Sequence, residues 1–183
     1  ASRLGVKGST KLDNGLTAFY KVEWEVNVSD DESDNFKARS QYVGLKGGFG
    51  EVMLGRNDTL LKKSQGKMDL FNDLEADIKQ LFNGEDRLGD TLTYKSPKFN
   101  GFQLGATIVS EDSAKQQDKN NGDTGTSLSV TYGDAKLKKS KIFASVAHNM
   151  DVAGYDITRV AVQGKIDNLK LGAMFQDTEK FDG

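Results

Sequence analysis

Leu16, Ala18, Tyr20, Val22, Trp24, Val26 and Val28 are successive even-numbered residues, every one apolar or aromatic, and Thr17, Phe19, Lys21, Glu23, Glu25 and Asn27 stand between them. Period-two alternation sends the two sets to opposite faces of a β-strand. From 16 to 28, at ~3.3 Å per residue, such a strand reaches about 40 Å, where globular strands usually stop at about five or six residues. That length suits a tilted strand crossing a bilayer, with one face on lipid and the other on water.

The alternation recurs along the chain. Leu4 and Val6 oppose Arg3, Gly5 and Lys7; Leu88, Leu92 and Tyr94 oppose Arg87, Thr91, Thr93 and Lys95. Phe102, Leu104, Ala106 and Ile108 oppose Gln103, Gly105 and Thr107, and Leu128, Val130 and Tyr132 oppose Ser127, Ser129 and Thr131. Further runs are Ile142, Ala144, Val146; Val160, Val162, Ile166 against Arg159, Gln163, Lys165; and Leu171, Ala173, Phe175. With 39–45 and 51–56 the total is about ten strands. In the first of these two, Tyr42 and Leu45 share a face only across a bulge.

The connections alternate as well. Turn-forming residues sit at Asp13-Asn14-Gly15, Gly47-Gly48-Phe49-Gly50, Asn100-Gly101, Gly133-Asp134 and Asp167-Asn168, several of them types that accept positive φ. Long polar connections occupy 29–37, 57–86, 111–125 and 149–154. Short turns at one end and long loops at the other is the layout of an outer-membrane barrel, not of a soluble β-sandwich. The chain reads as a single domain over 1–183.

Composition agrees. The 183 residues include no Cys, one His, one Pro and 20 Gly, with a net charge of −2. Without cysteine there is no disulfide framework, thiolate metal site or thiol nucleophile, and a lone His148 removes His-pair metal motifs and most catalytic triads. The charge balance offers no basic excess for nucleic acid. Mean hydropathy of −0.57 and the lack of a long apolar run exclude a spanning helix but not a barrel, whose strands show lipid only alternate residues.

Ser2-Arg3-Leu4-Gly5-Val6-Lys7-Gly8, Asp13-Asn14-Gly15-Leu16-Thr17-Ala18, Tyr42-Val43-Gly44-Leu45-Lys46-Gly47-Gly48-Phe49-Gly50, Leu54-Gly55-Arg56-Asn57, Arg87-Leu88-Gly89-Asp90 and Thr93-Tyr94-Lys95-Ser96-Pro97-Lys98-Phe99-Asn100-Gly101-Phe102, in that order and spacing, closely resemble the general-diffusion porins of Gram-negative outer membranes. The resemblance implies an all-β, antiparallel transmembrane β-barrel of sixteen strands, assembled as a homotrimer among outer-membrane lipid and lipopolysaccharide, with a short helix in an inward-folded third loop. Counted against that family the chain is an internal portion, about ten strands, two to eleven, incomplete at both ends and without a leader.

The 57–86 segment changes period. Phe71, Leu74, Ile78, Leu81 and Phe82 form one apolar stripe at helical spacing, with Asp73, Asp77 and Gln80 on the other side. Periodicity alone makes this an amphipathic helix with a solvated acidic face. The resemblance instead makes 57–86 the constriction loop, with Asp73 and Asp77, and Glu75 nearer the stripe, as its acidic side. It matches Arg3, Arg56 and Arg87 to the arginines on the facing wall. Parity turns Arg3 and Arg87 inward above Lys7 and Lys95; Arg56 shares parity with Val52 and Leu54 and needs a bulge at Gly55 to join them. Seven acids against four lysines leave the loop at −3, which implies a mild cation preference.

Other candidates have plainer readings. Asp30, Asp31, Glu32 and Asp34 form an acidic run that is either solvated, a divalent-cation site or, by the resemblance, a subunit contact. The stretch 118–123 echoes a calcium loop, but Ser129 replaces the twelfth-position Glu. His148 lacks the partners a catalytic histidine needs. The glycines of 44–50 lack the Lys-Ser/Thr ending of a phosphate loop and fit a tight turn. Tyr20 and Trp24 are girdle or subunit-contact residues.

The expected function is passive diffusion of ions and small hydrophilic solutes, with no reaction and no cofactor. Gly5, Thr17, Gly89, Thr91, Gly105, Ser127 and Ser129 are too small and polar to fill a core, which favours a wet lumen over the alternative, a smaller closed barrel acting as adhesin or structural anchor.

Overall fold

The computed structural model describes residues 2–27, 35–68, 78, 81–110 and 124–180. Among the described residues ten strands follow the chain: β1 (Ser2–Lys11), β2 (Thr17–Val26), β3 (Phe36–Gly47), β4 (Gly50–Asp58), β5 (Arg87–Lys95), β6 (Phe102–Val109), β7 (Gly125–Gly133), β8 (Ile142–Val152), β9 (Tyr155–Ile166) and β10 (Leu169–Lys180); a helix, α1 (Leu60–Ser64), lies between β4 and β5. They form a single sheet in sequential order, each strand antiparallel to the next. Its edges are β1 and β10, which are not neighbours in the sheet.

Alternation decides the faces. Leu4, Val6, Val43, Leu54, Leu104, Ile108, Val146, Val162 and Leu171 are exposed on one side. The opposite side carries buried Thr91, Thr93, Thr107, Ser127, Ser129, Ser145, Arg159 and Gln163. An exposed apolar face over a polar inner one inverts the usual soluble arrangement and is what a lipid-facing sheet requires. Val22 stands opposite Val6 on the apolar face and Phe19 opposite Gly44 on the polar one.

Three departures from the sequence reading have local causes. First, β2 stops at Val26, so the described strand is ten residues, not the thirteen the alternation suggested; Val28 lies outside the described residues. Secondly, parity sets Leu88 with Leu92 and Tyr94, but it is fully buried with Val109 and Val152. The register slips between Gly55/Asn57 on β4 and Thr91/Leu88 on β5, where Asp90 takes φ +46°. That bulge inserts one residue and turns Leu88 to the inner face. Thirdly, 149–154 is not a long loop. β8 runs to Val152 and β9 begins at Tyr155, with Ala153 and Gly154 both at positive φ in a two-residue turn.

The Gly133-Asp134 connection is longer than its dipeptide suggested, spanning 134–141. Asp134 organises it by accepting backbone N–H bonds from Lys136, Lys138 and Lys139, and these bonds hold its carboxyl below the ordinary range. On β3 the ladder is regular from Gln41 to Gly47, so no bulge brings Tyr42 and Leu45 to one face; the bulge lies earlier, at Arg39-Ser40, where Val22 and Trp24 face Gln41 and Ala38. Tyr42 then points inward against Phe19, with ring centroids 6.3 Å apart, while Leu45 is exposed outside.

Candidate functional site: the inner face and its loop

The described parts of the long segment, 59–68 and 81–86, lie on the polar face. Thr59 caps α1 by accepting the Lys62 N–H at 3.1 Å. Leu60, Leu61 and Ser64 are buried. Leu61 N–H donates to Ser127 Oγ on β7 at 3.2 Å, and Ser145 Oγ on β8 donates to the Ser64 carbonyl. Small hydroxyl side chains on the wall thus do two things: they let the helix approach closely and they satisfy backbone groups at its ends. Leu61, Ala147 and Ile157 form an apolar contact beneath it.

The two limbs of the segment are tied together. Thr59 N–H donates to the Asp86 carbonyl at 3.2 Å, Lys62 Nζ to the Glu85 carbonyl at 2.8 Å, and Gln65 Nε2 to Glu85 Oε2 at 3.2 Å. Burial pushes the Glu85 carboxyl up, against the opposing pull of Arg159, and pushes Asp86 up as well. Burial also lowers the Lys63 ammonium to about 7, reinforced by the nearby positive charge of Lys95. Lys63 Nζ donates to Asn57 Oδ1 at 2.9 Å.

A short helix, α1, lies at Leu60–Ser64, a stretch that periodicity does not mark; the helix expected over 71–82 lies largely outside the described residues. Of the expected stripe, Phe71 and Leu74 lie outside the described residues, while Ile78 accepts N–H bonds from Leu81 and Phe82, both at 3.0 Å. Asp73, Asp77 and Glu75 also lie outside the described residues, as do the 30–34 and 118–123 runs.

The basic candidates lie on β1, β4 and β5. Arg3 is opposite Glu25 and Lys7 opposite Lys21. Around them, Lys21 Nζ is 2.9 Å from Glu23, and Arg39 reaches Glu23 at 3.1 Å and Glu25 at 2.7 Å. With Lys11, Lys37 and Lys46 on the same face, seven cations against Glu23 and Glu25 give β1–β3 a basic excess there. Arg87 Nη2 is 2.9 Å from Asp58 Oδ1, and Lys95 Nζ is 3.6 Å from Glu51. Arg56 holds the position opposite Gln41, next to Gly55 at φ +124°; its buried Nε has no hydrogen-bond partner among the described residues. Lys95, Lys63, Leu60 and Ser129 border a cavity of about 130 Å³.

Sequence reading did not single out Glu23, Arg39, Asp58, Lys63, Glu85 or Arg159. The inward parity of Arg159 was legible; that its partners come from residues 61 to 85 was not. His148 sits on the outer face opposite Leu128, with Nδ1 2.9 Å from Thr158 Oγ1. Among the described residues no three His, Asp or Glu side chains come together as a metal site. Gly48 and Phe49 make the β3–β4 hairpin turn.

A family profile described as Gram-negative porin matches residues 1–182. The major outer membrane protein P.IB of Neisseria sicca is 32% identical over 136 residues, covering 72% of this chain and 38% of that protein. The monosaccharide porin of Halomonas sp is 27% identical over 178 residues, covering 90% and 46%. The chain therefore spans about half the length, or less, of these relatives. Among solved structures, the anion-selective porin from Comamonas acidovorans superimposes with TM-score 0.70 at 23% identity, over 96% of this chain and 57% of that one. Salmonella typhi OmpF, in complex with daunomycin, gives 0.73 at 18%, with the same coverage. At these identities the two structures speak to the fold alone.

Proposed function

The chain belongs to the Gram-negative porin family, and on that premise we propose that the protein containing it is a passive diffusion channel for ions and small hydrophilic solutes, catalysing no reaction and using no cofactor. It is an outer-membrane protein built as an antiparallel β-barrel sheet. The observation that carries the proposal is that α1 and residues 83–85 are held to the inner wall by Ser127, Ser145 and Arg159, with only a small apolar contact of Leu61 on Ala147 and Ile157. A loop seated there narrows a water-filled lumen without filling it.

In this reading 57–86 is the constriction loop. Asp73, Asp77 and Glu75 supply its acidic side, while Arg3, Arg56 and Arg87, with Lys7 and Lys95 beside them, supply the basic side. Opposed charges across a narrow opening set a transverse field that favours dipolar solutes, and the loop's −3 gives a mild preference for cations. The wall's basic excess on β1–β3 keeps that preference small. The full-length protein forms a homotrimer embedded in lipid and lipopolysaccharide.

The alternative of a small closed barrel serving as an adhesin or anchor is disfavoured, because β1 and β10 do not pair and the ten strands do not close on themselves. Planar-bilayer recording of the full-length protein is the test. Discrete, ohmic current steps under a salt gradient, with a reversal potential slightly on the cation side, are expected; a bilayer that stays silent with correctly folded protein overturns the proposal.

A further inference from the structure

Arg159 is fully buried on β9, between Ala147 on β8 and Gln176 on β10. Its guanidinium is spent on four contacts. Nε donates to Gln176 Oε1 at 2.8 Å, Nη1 to Glu85 Oε1 at 2.7 Å and to the Leu61 carbonyl at 3.2 Å, and Nη2 to the Asn83 carbonyl at 3.1 Å. Gln176 Nε2 donates to the same Asn83 carbonyl at 3.1 Å.

Leu61 belongs to the limb of the loop that enters the lumen, Asn83 and Glu85 to the limb that leaves it. A single planar fork therefore binds both limbs to the wall. A buried guanidinium is costly unless its donors are met, so the arrangement is stable only while both limbs supply their acceptors. Lysine presents a compact point charge with no planar fork and cannot reach all of these acceptors at once.

We propose that Arg159 is the positioning residue that seats the inward loop and so fixes the aperture of the channel. The aperture half of the proposal rests on the diffusion-channel reading; the seating half does not, and two measurements on the full-length protein separate them. Amide hydrogen exchange reads the seating. In Arg159→Met, exchange over 59–68 and 81–86 is expected to accelerate about tenfold or more, the factor that losing one hydrogen bond to a charged group contributes, while the β2–β3 amides keep their rates.

Single-channel recording reads the aperture. Arg159→Met is expected to raise open-channel noise and sub-conductance visits several-fold, and Arg159→Lys to restore little. Adding Glu85→Gln to Arg159→Met should bring the noise back toward wild type, because no buried carboxylate is then left unpaired; a general loss of stability would not be relieved that way. Unchanged exchange and unchanged noise in Arg159→Met overturn the proposal. Faster exchange in a protein that conducts nothing even as wild type overturns the channel reading and leaves the seating role standing. Should Arg159→Met fail to assemble, Gln176→Leu decides, since it removes one contact to Arg159 and one to Asn83 from a half-buried position on the edge strand. Wild-type exchange and noise in that variant overturn the proposal.

Discussion

Arg87 Nη2 on the wall lies 2.9 Å from Asp58 Oδ1, and the same oxygen lies 3.6 Å from Lys62 Nζ on α1. The Arg87 contact has ion-pair distance without hydrogen-bond alignment. One carboxylate at the end of β4 thus stands between a wall arginine and a loop lysine, and part of the Arg87 charge is answered where it sits.

Asp58→Asn leaves Arg87 and Lys62 facing each other with no anion between them. The reversal potential under a salt gradient is expected to move toward anions. The stability cost stays near ~1 kcal/mol because both partners are partly solvated. Bilayer recording and thermal unfolding in detergent check the two halves; a shift toward cations contradicts the placement.

Neutralising Asp73 and Asp77 together to Asn removes two charges with little change in volume. Across an opening comparable with a Debye length of about 8 Å those charges are incompletely screened, so selectivity should move toward anions, most strongly at low salt. Replacing Arg3 and Arg87 with Gln should move it the other way. Asp118→Asn with Asp123→Asn is the control, expected to do much less. An equal shift from the control pair removes 57–86 as the constriction.

Lys63 sheds its proton at about 7 in the folded protein against 10.5 when exposed. Raising pH through neutrality therefore removes a positive charge from the lumen, and selectivity should step toward cations there; Lys63→Gln should abolish the step. Between about 7 and 10.5 the unfolded chain holds a proton that the native one has lost, so this group makes stability rise with pH across that window. A reversal potential flat across neutrality in the wild type counts against the buried placement of Lys63.

Val22 shares the apolar outer face with Val6, and Thr17 shares the inner one with Lys46. Val22→Arg should cost assembly about 2 to 4 kcal/mol if it meets hydrocarbon, and Thr17→Arg should be tolerated in a wet lumen. Equal effects on the yield of assembled protein in outer membranes would reverse the assignment of faces.

Gly84 adopts φ +87°, and a Cβ there would run into Leu61 and Ile157. Gly15 has φ +78° with open space around it. Gly84→Ala therefore carries backbone strain plus overpacking, about 1 to 3 kcal/mol more than Gly15→Ala. Thermal unfolding of the two variants measures the difference.

Alternation of apolar and polar residues determined the strands, their faces and the polar character of the inner wall, because a strand's two faces are fixed by residue parity as long as the ladder is regular. Where the ladder slips, parity is lost: Leu88 turned inward because Asp90 bulges, and no spacing in 87–95 announces that. The turn at Ala153-Gly154 escaped because alanine is not a residue that advertises positive φ. Within 57–86, α1 forms over a short apolar pair and two lysines that carry no periodic signal, held by Ser127, Ser145 and Arg159 reaching it from the wall. The contacts that seat the loop join residues 66 to 98 apart in sequence. Local pattern carries no information across such separations; only the sheet, by bringing β7, β8 and β9 side by side, decided which hydroxyls and which guanidinium would meet the loop.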